Sequence, residues 1–183
     1  MSNKVIQPPF MGLSTLRAIT PFSPECLGLD ILPLDAVLQS TTNWVANLLV
    51  FIPMILAEPF LVSQFFWQNG NAINGNIDAG VYSEDGATKI ISTGSTTVAN
   101  VSAIQVVNVT DTWLPSNRRL WLTLGSDGTT RLLLSALNAA LALTYLGVKQ
   151  QASGWSSGLP STITLGTPSQ ARTPLFGIVS GAV

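Results

Sequence analysis

Residues 75–96, GNIDAGVYSEDGATKIISTGST, alternate between apolar and polar positions, break at a turn and then alternate again. Alternation with a period of two is typical of a half-buried β-strand. Asp85-Gly86 at the break is a strong signal for a tight turn. The pattern therefore predicts a β-hairpin with one strand on each side of Asp85-Gly86.

Similar short segments follow one another from Asn43 onward, rich in β-branched and aromatic residues and separated by turn residues such as Asp127-Gly128. The predicted strands are 47–56, 59–68, 77–83, 88–94, 102–110, 118–126, 129–137 and 172–180. Regularly spaced short strands with turns between them indicate an antiparallel sandwich or barrel.

Residues 44–67 form an apolar stretch that is long enough to cross a bilayer as a helix. Pro53 and Pro59 would each remove a helical hydrogen bond, and Glu58 would place a carboxylate inside the bilayer. No Lys or Arg flanks the stretch to fix an orientation. Two buried strands joined at Glu58-Pro59 account for it better, and we expect no association with a membrane.

One segment has a helical pattern: residues 135–149 are dominated by Ala and Leu, with Gly147 as a C-cap. A loop that threads over an apolar surface is the alternative. Residues 150–170, which follow, are polar and rich in glycine. The sequence thus predicts an all-β fold with at most one short helix.

Residues 1–40 carry five prolines at irregular spacing among scattered apolar residues. Proline lacks the donor for helices and ladders, so this segment is predicted to be an extended arm, with the β-domain at 41–183. The arm is too apolar for a solvated tail, so it needs a surface, either its own domain or another subunit. The candidates for subunit contact in the arm are Pro8, Pro9, Phe10, Leu13 and Phe22.

Charge is scarce: 9% of residues are charged, compared with about 25% in ordinary domains, and the formal net charge is -1. Little self-repulsion opposes association of such a surface. Arg118-Arg119 is the one adjacent basic pair, and we interpret it as a solvated strand entry. Nucleic acid is therefore not an expected partner, because phosphate binding needs clustered Lys and Arg.

The chain lacks several residue types that enzymes commonly use for catalysis, because it has no histidine and a single cysteine, Cys26. A Ser-His-Asp triad and a Cys-His nucleophile are excluded, and Cys26 is interpreted as a small buried hydrophobe. A carboxylate pair such as Glu58 and Asp78 is disfavoured because most acids lie in turns. We predict no enzymatic activity, no catalytic residue, no cofactor and no metal ligand.

Four of the five tryptophans divide by context. Trp67 and Trp121 lie in apolar strands and are predicted to be core residues. Trp113 and Trp155 lie in polar, turn-rich segments, and are the candidates for stacking on a glycan or for contacting another subunit.

The chain from residue 67 onward carries a pattern of several parts. A strand with aromatic residues is followed by a motif of five residues at fixed spacing and by a turn. A strand that ends in Ser-Thr-Gly-Ser-Thr comes next, and then a strand that leads to Val-Thr-Asp. The motif consists of Gly75, Asn76, Asp78, Gly80 and Tyr82. With this pattern residues 67–125 resemble a type of small jelly-roll structural protein encoded by tailed bacteriophages, and the terminal PLFGI fits as well. The resemblance implies a jelly-roll sandwich and a component of the virion.

Together with the uncharged composition, the resemblance favours a capsid decoration or cement protein that binds and stabilises the shell. A tail, baseplate or fibre subunit is less favoured, because the chain shows neither repeats nor a coiled stalk. The expected partners are other virion subunits, the major capsid protein first, and further copies of the chain as a homotrimer on the capsid surface. The alternative is a glycan-binding module that recognises the host through Trp113 and Trp155.

Overall fold

The computed structural model describes residues 18–19, 38–135, 147–167 and 174–180, and all the regular structure in these ranges is β-strand, without a helix. The strands are β1 (Ala18–Ile19), β2 (Leu38–Asn43), β3 (Leu49–Ile55), β4 (Phe60–Gln68), β5 (Asn76–Tyr82), β6 (Lys89–Ser92), β7 (Thr96–Thr97), β8 (Ile104–Leu114), β9 (Arg119–Ser126), β10 (Arg131–Ser135), β11 (Lys149–Gln151) and β12 (Phe176–Ser180).

Two antiparallel sheets stack on each other, with a small β2–β10 ladder in addition. The four-stranded sheet has the order β1-β12-β4-β8, and the larger sheet has the order β11-β3-β9-β5-β6, with β7 beside β5. The pairing is nested: β1 pairs with β12, β3 with β9, β4 with β8 and β5 with β6, and successive pairs alternate between the sheets. A long antiparallel hairpin rolled up in this way is a jelly roll, which confirms the predicted all-β sandwich.

The predicted hairpin around Asp85-Gly86 is present as β5 and β6. Gly86 has a φ of +71°, in the left-handed region that glycine adopts without a steric penalty. The Asp85 carboxylate accepts hydrogen bonds from the Ser83 hydroxyl and the Ala87 N–H, which fixes the turn between the strands.

Residues 44–67 form β3 and most of β4, in agreement with the two predicted strands. Pro53 lies inside β3, opposite Trp121 of β9. The strand on the other side, β11, pairs with residues 49–51, so no strand in the described part of the chain pairs with Pro53 on that side, and a ladder tolerates proline there. Among the described residues, no helix has the length and apolarity needed to span a membrane.

A strict alternation along β4 predicts that Phe60, Val62, Gln64 and Phe66 share one face. The ladder with β8 instead shifts register between Val62 and Gln64, and the inward positions change there. Val62, Phe65 and Trp67 are fully buried, whereas Phe66 is only half-buried. The bulge thus turns Phe66 to the outer face.

The main core fills the space between the two sheets and contains Trp67 as predicted. A second cluster lies on the outer face of the larger sheet, where residues 152–165, named here the covering segment, supply Trp155, Leu159 and Ile163. Trp121, also predicted to be buried, belongs to this second cluster. The larger sheet is therefore buried on both faces over much of its area.

Two residues of the predicted arm, Ala18 and Ile19, form β1 against β12, and Ile19 is fully buried in the domain's own core. The five arm candidates and Cys26 lie outside the described residues. The predicted helix at 135–149 begins and ends at residues that the structure places in strands, because Ser135 belongs to β10 and Lys149 to β11. Residues 136–146 are not among those described.

Candidate interaction surface

Exposed apolar side chains concentrate on the outer side of the β4–β8 ladder. Ile104, Val106 and Trp113 of β8 are each more than half exposed, as is Val101 just before the strand. Cross-strand neighbours on β4 extend this surface, since Phe66 lies opposite Val106. We name the following residues the outer β4–β8 face: Leu61, Gln64, Phe66, Ile104, Val106, Asn108 and Trp113.

The alternation of β8 produces this surface. Ile104, Val106 and Asn108 are exposed, whereas Val107 and Val109 point inward and pack against the main core. Four of the six residues of Ile104–Val109 are apolar, and they leave apolar groups on both faces of the strand. One set is used for the core and the other set remains on the surface.

Polar contacts on the outer β4–β8 face are satisfied within it. The Gln64 amide donates to Asn108 Oδ1 at 2.8 Å, and the Ser63 hydroxyl donates to Asp111 Oδ1 at 2.6 Å. Asp111 is the one acidic residue of β8, which has no Lys or Arg. A partner that fits this face is therefore uncharged and offers apolar groups, as in the centre of a protein–protein interface.

The two tryptophans predicted to bind lie on different sides of the sandwich, Trp113 in β8 and Trp155 in the covering segment. Trp113 is 60% exposed on β8, opposite Leu61 in the outer β4–β8 face. Trp155 is only 9% exposed and packs in the second cluster with residues such as Phe51 and Trp121. The structure therefore does not bring Trp113 and Trp155 together, and Trp113 is the one whose ring is accessible.

The covering segment closes the outer face of the larger sheet through polar contacts as well as packing. The Leu159 N–H donates to Asp78 Oδ2 at 2.8 Å, and the Lys89 ammonium donates to the Leu159 carbonyl at 2.7 Å. The Tyr82 hydroxyl donates to the Pro160 carbonyl. These bonds hold the segment over the apolar residues beneath it, so this face is unavailable to a partner in the described structure.

The motif that carries the phage resemblance has a structural role in this arrangement. Asn76, Asp78, Gly80 and Tyr82 occupy every second position of β5, and therefore share its outer face. A Cβ at Gly80 would lie 2.8 Å from the Ile91 carbonyl oxygen and 2.9 Å from a methyl group of Leu159. Glycine is required there because the covering segment and β6 approach the backbone so closely.

Asn76, the first residue of β5, binds the turn after β9. Its backbone N–H donates to Asp127 Oδ1 at 2.6 Å, and its side-chain amide donates to Asp127 Oδ2 at 2.8 Å. Gly75 has a φ of +76°, and a Cβ there would lie 2.3 Å from Asp127 Oδ1. Sequence reasoning found the spacing of these residues; the Asp127 partner, 51 residues away, has no local signal.

Asp78 is the buried carboxyl group of this region. Burial raises its pKa above the ordinary value of 3.8, while hydrogen bonds from Leu159 and Thr93 and the charge of Lys89 act in the opposite direction. Burial, together with the Asp78 charge, also raises the pKa of Tyr82. Both groups hydrogen-bond to neighbouring protein groups, so the arrangement serves the covering segment rather than an open reaction site. No cluster of three or more His, Cys, Asp or Glu side chains occurs among the residues that the structure describes.

Two shallow clefts occur on the described surface, one between β6 and β8 and one between the β5–β6 turn and the connection from β8 to β9. The cleft between β6 and β8 has a volume of about 670 Å³, and its walls combine apolar and hydroxyl side chains. Its lining residues are Ile90, Ile91, Ser92, Thr93, Asn108, Val109, Thr110 and Thr112. We name it the edge cleft. The second, of about 580 Å³, contains Glu84 and Asp85 together with Arg118 and Arg119, so its charge is mixed.

Comparison of the chain with protein-family models, with curated proteins and with solved structures gave no match in any of the three.

Proposed function

We propose that this chain is a structural subunit of a tailed-phage virion, and that it acts as a capsid decoration protein. The observation that carries the proposal is the outer β4–β8 face, on which uncharged apolar side chains stay exposed although the rest of the jelly roll is well covered. The motif on β5 supports it through the resemblance to phage jelly-roll proteins. The mechanism is passive: the face buries its apolar groups against the shell, and the added interface stabilises the head.

Most large apolar side chains of the described strands lie in the two clusters, whereas Ile104, Val106 and Trp113 of β8 are each more than half exposed. When a partner covers Ile104, Val106 and Trp113, each Å² of apolar surface removed from water contributes about 25 cal/mol to the free energy of binding. Repeated over many copies on a shell, contacts of this size add up to substantial stabilisation. The residues of the arm, including Phe10 and Leu13, are proposed to contact a neighbouring subunit and so to add to the same interface.

A glycan-binding role in a tail or baseplate is the second candidate, and one observation favours it. The Trp113 ring is 60% exposed, and an accessible indole on a β-sheet face suits stacking on a sugar ring. Burial of Trp155 leaves this candidate with one aromatic platform instead of two. The decoration role uses the whole apolar face, and is therefore the first proposal.

Immunogold labelling of phage particles with an antibody raised against the full chain tests the location. Gold over the whole head is expected, and gold restricted to the tail would contradict the decoration role.

Particles assembled with Trp113→Ala are expected to carry at least three-fold fewer copies of the protein. Ile55→Ala, a change at a similarly exposed residue of β3, serves as the control. Glycan-array binding that disappears in Trp113→Ala, with normal incorporation into particles, would favour the second candidate.

A further inference from the structure

The free edge of β8 has no strand beside it among the described residues. β8 is the last strand in the order β1-β12-β4-β8 and pairs with β4 alone. It is eleven residues long. Backbone N–H and C=O groups of every second residue on such an edge point away from the sheet, and are available to another strand.

Features that normally protect an edge are missing from the first part of β8. Natural edge strands are kept short, or carry Lys, Pro, inward-pointing charges or a β-bulge. The register shift of the β4–β8 ladder lies between Asn108 and Thr112, after the first part of β8. The segment Ile104–Thr110, IQVVNVT, contains no charged residue and no proline, and Asp111 follows it. Its first five residues pair in regular register with Gln64–Gln68, so this part of the edge is straight enough for a ladder.

The edge cleft lies next to this free edge. Val107 and Val109 point inward but remain only half-buried, and Val109 lines the edge cleft. A strand added to β8 would direct alternate side chains into the edge cleft against Ile90 and Val109, and the others outward beside Val106. One added strand would thus complete the core and extend the outer β4–β8 face.

We propose that the added strand is β8 of a second copy of this chain, paired antiparallel about a two-fold axis. The contact gives a dimer in place of the homotrimer expected from the sequence. A partner at this edge must offer a free, uncharged strand edge of similar length. The other edge strands in the described part of the chain are shorter than β8: β1, β6 and β11 have two, four and three residues, and β10 and β2 of the small ladder have five and six. A head-to-tail pairing therefore lacks a second edge that matches the eleven residues of β8.

Charge also fits this pairing. Ile104–Thr110 opposes no like charges when it pairs with itself, and the net charge of -1 gives little repulsion between copies. A two-fold contact satisfies both edges at once and joins the two four-stranded sheets into one of eight strands. Two copies of the outer β4–β8 face then form a continuous surface. This inference goes beyond the proposed function and does not depend on a virion.

Sedimentation velocity of the full chain from 1 to 100 µM tests the pairing. We expect a reversible dimer, and we expect Val106→Lys to raise its dissociation constant at least ten-fold. Ile55→Lys is the matched control, because Ile55 is 53% exposed and Val106 52%, and it is expected to change the constant less than two-fold. Asn108→Lys, at the next outward position, is a second variant in case Val106→Lys does not fold by circular dichroism.

Hydrogen exchange locates the contact. Amides of residues 104–110 are expected to exchange at least ten-fold more slowly at 100 µM than at 1 µM, while those of 119–126 in β9 stay unchanged. A monomer at 100 µM, a trimer, or a dimer that tolerates both lysine variants would overturn the pairing. Protection of 104–110 that does not depend on concentration would overturn it too, since a segment of the same chain would then occupy the edge.

Discussion

The backbone N–H of Leu159 donates a 2.8 Å hydrogen bond to the buried carboxylate of Asp78, 81 residues earlier in the chain. The Leu159 side chain packs in the second cluster, so this one residue joins the covering segment to β5 by both polar and apolar contacts. The covering segment is thereby attached to the larger sheet through its middle residue.

We expect Asp78→Ala to destabilise the protein by about 1–3 kcal/mol, because it leaves the buried Leu159 N–H without its acceptor. Urea unfolding followed by tryptophan fluorescence measures the change, since Trp155 lies in the same covering segment. Glu84→Ala removes an exposed acid close to this region, and is expected to change the free energy of unfolding by less than 0.5 kcal/mol. Equal effects of the two variants would show that the Asp78 contact contributes little.

The raised pKa of Asp78 predicts a pH dependence of stability. Because the folded state binds the Asp78 proton more tightly than the unfolded state, this contribution is fully present below pH 3.8. It is lost as the pH rises from there through the raised pKa. The difference in unfolding free energy between the protein and Asp78→Asn should therefore vary with pH over that window and be constant above it. A difference that is constant throughout would contradict burial as the dominant influence.

Gly75→Ala should be much more destabilising than Gly94→Ala. Both glycines have a positive φ, +76° and +68°, so alanine at either position costs about 1–2 kcal/mol in backbone strain. A Cβ at Gly75 would also collide with Asp127 Oδ1, whereas nothing lies within 4 Å of a Cβ at Gly94. We expect an additional loss of about 1–3 kcal/mol for Gly75→Ala in thermal or urea unfolding. Similar losses for both would indicate that the turn after β9 moves aside at little cost.

Trp113 and Trp155 should behave oppositely on truncation. Trp155→Ala empties part of the second cluster and is expected to cost about 3–5 kcal/mol of unfolding free energy. Trp113→Ala removes an exposed ring and should change stability by no more than about 0.5 kcal/mol. The fluorescence of Trp113 is the part of the emission that Trp113→Ala loses. Acrylamide should quench this part more strongly than the emission of the remaining tryptophans. A large loss of stability in Trp113→Ala would mean that its ring is packed.

The sequence predicts most strands of this fold because alternation and turn residues are local signals. The Asp85-Gly86 hairpin is an example, since both strands and the turn lie within a short stretch. The bulge after Val62 was beyond such reasoning, because it depends on how β8 pairs with β4. Burial of Trp155 was also missed, since glycine- and serine-rich flanks do not reveal that apolar side chains of another strand lie beneath the segment.

The nested pairing has a consequence for how the chain is made. β12 lies between β1 and β4 in the four-stranded sheet, and Ala18 pairs with Val179. During synthesis β4 therefore lacks β12, one of its two neighbours, until residues 176–180 have left the ribosome, and contacts this distant in sequence form slowly. Nascent chains carry an open, apolar sheet for most of their translation, so chaperone binding should matter most at that stage. Pairing of β12 with β1 and β4 thus completes the four-stranded sheet and covers strand edges that would otherwise promote aggregation.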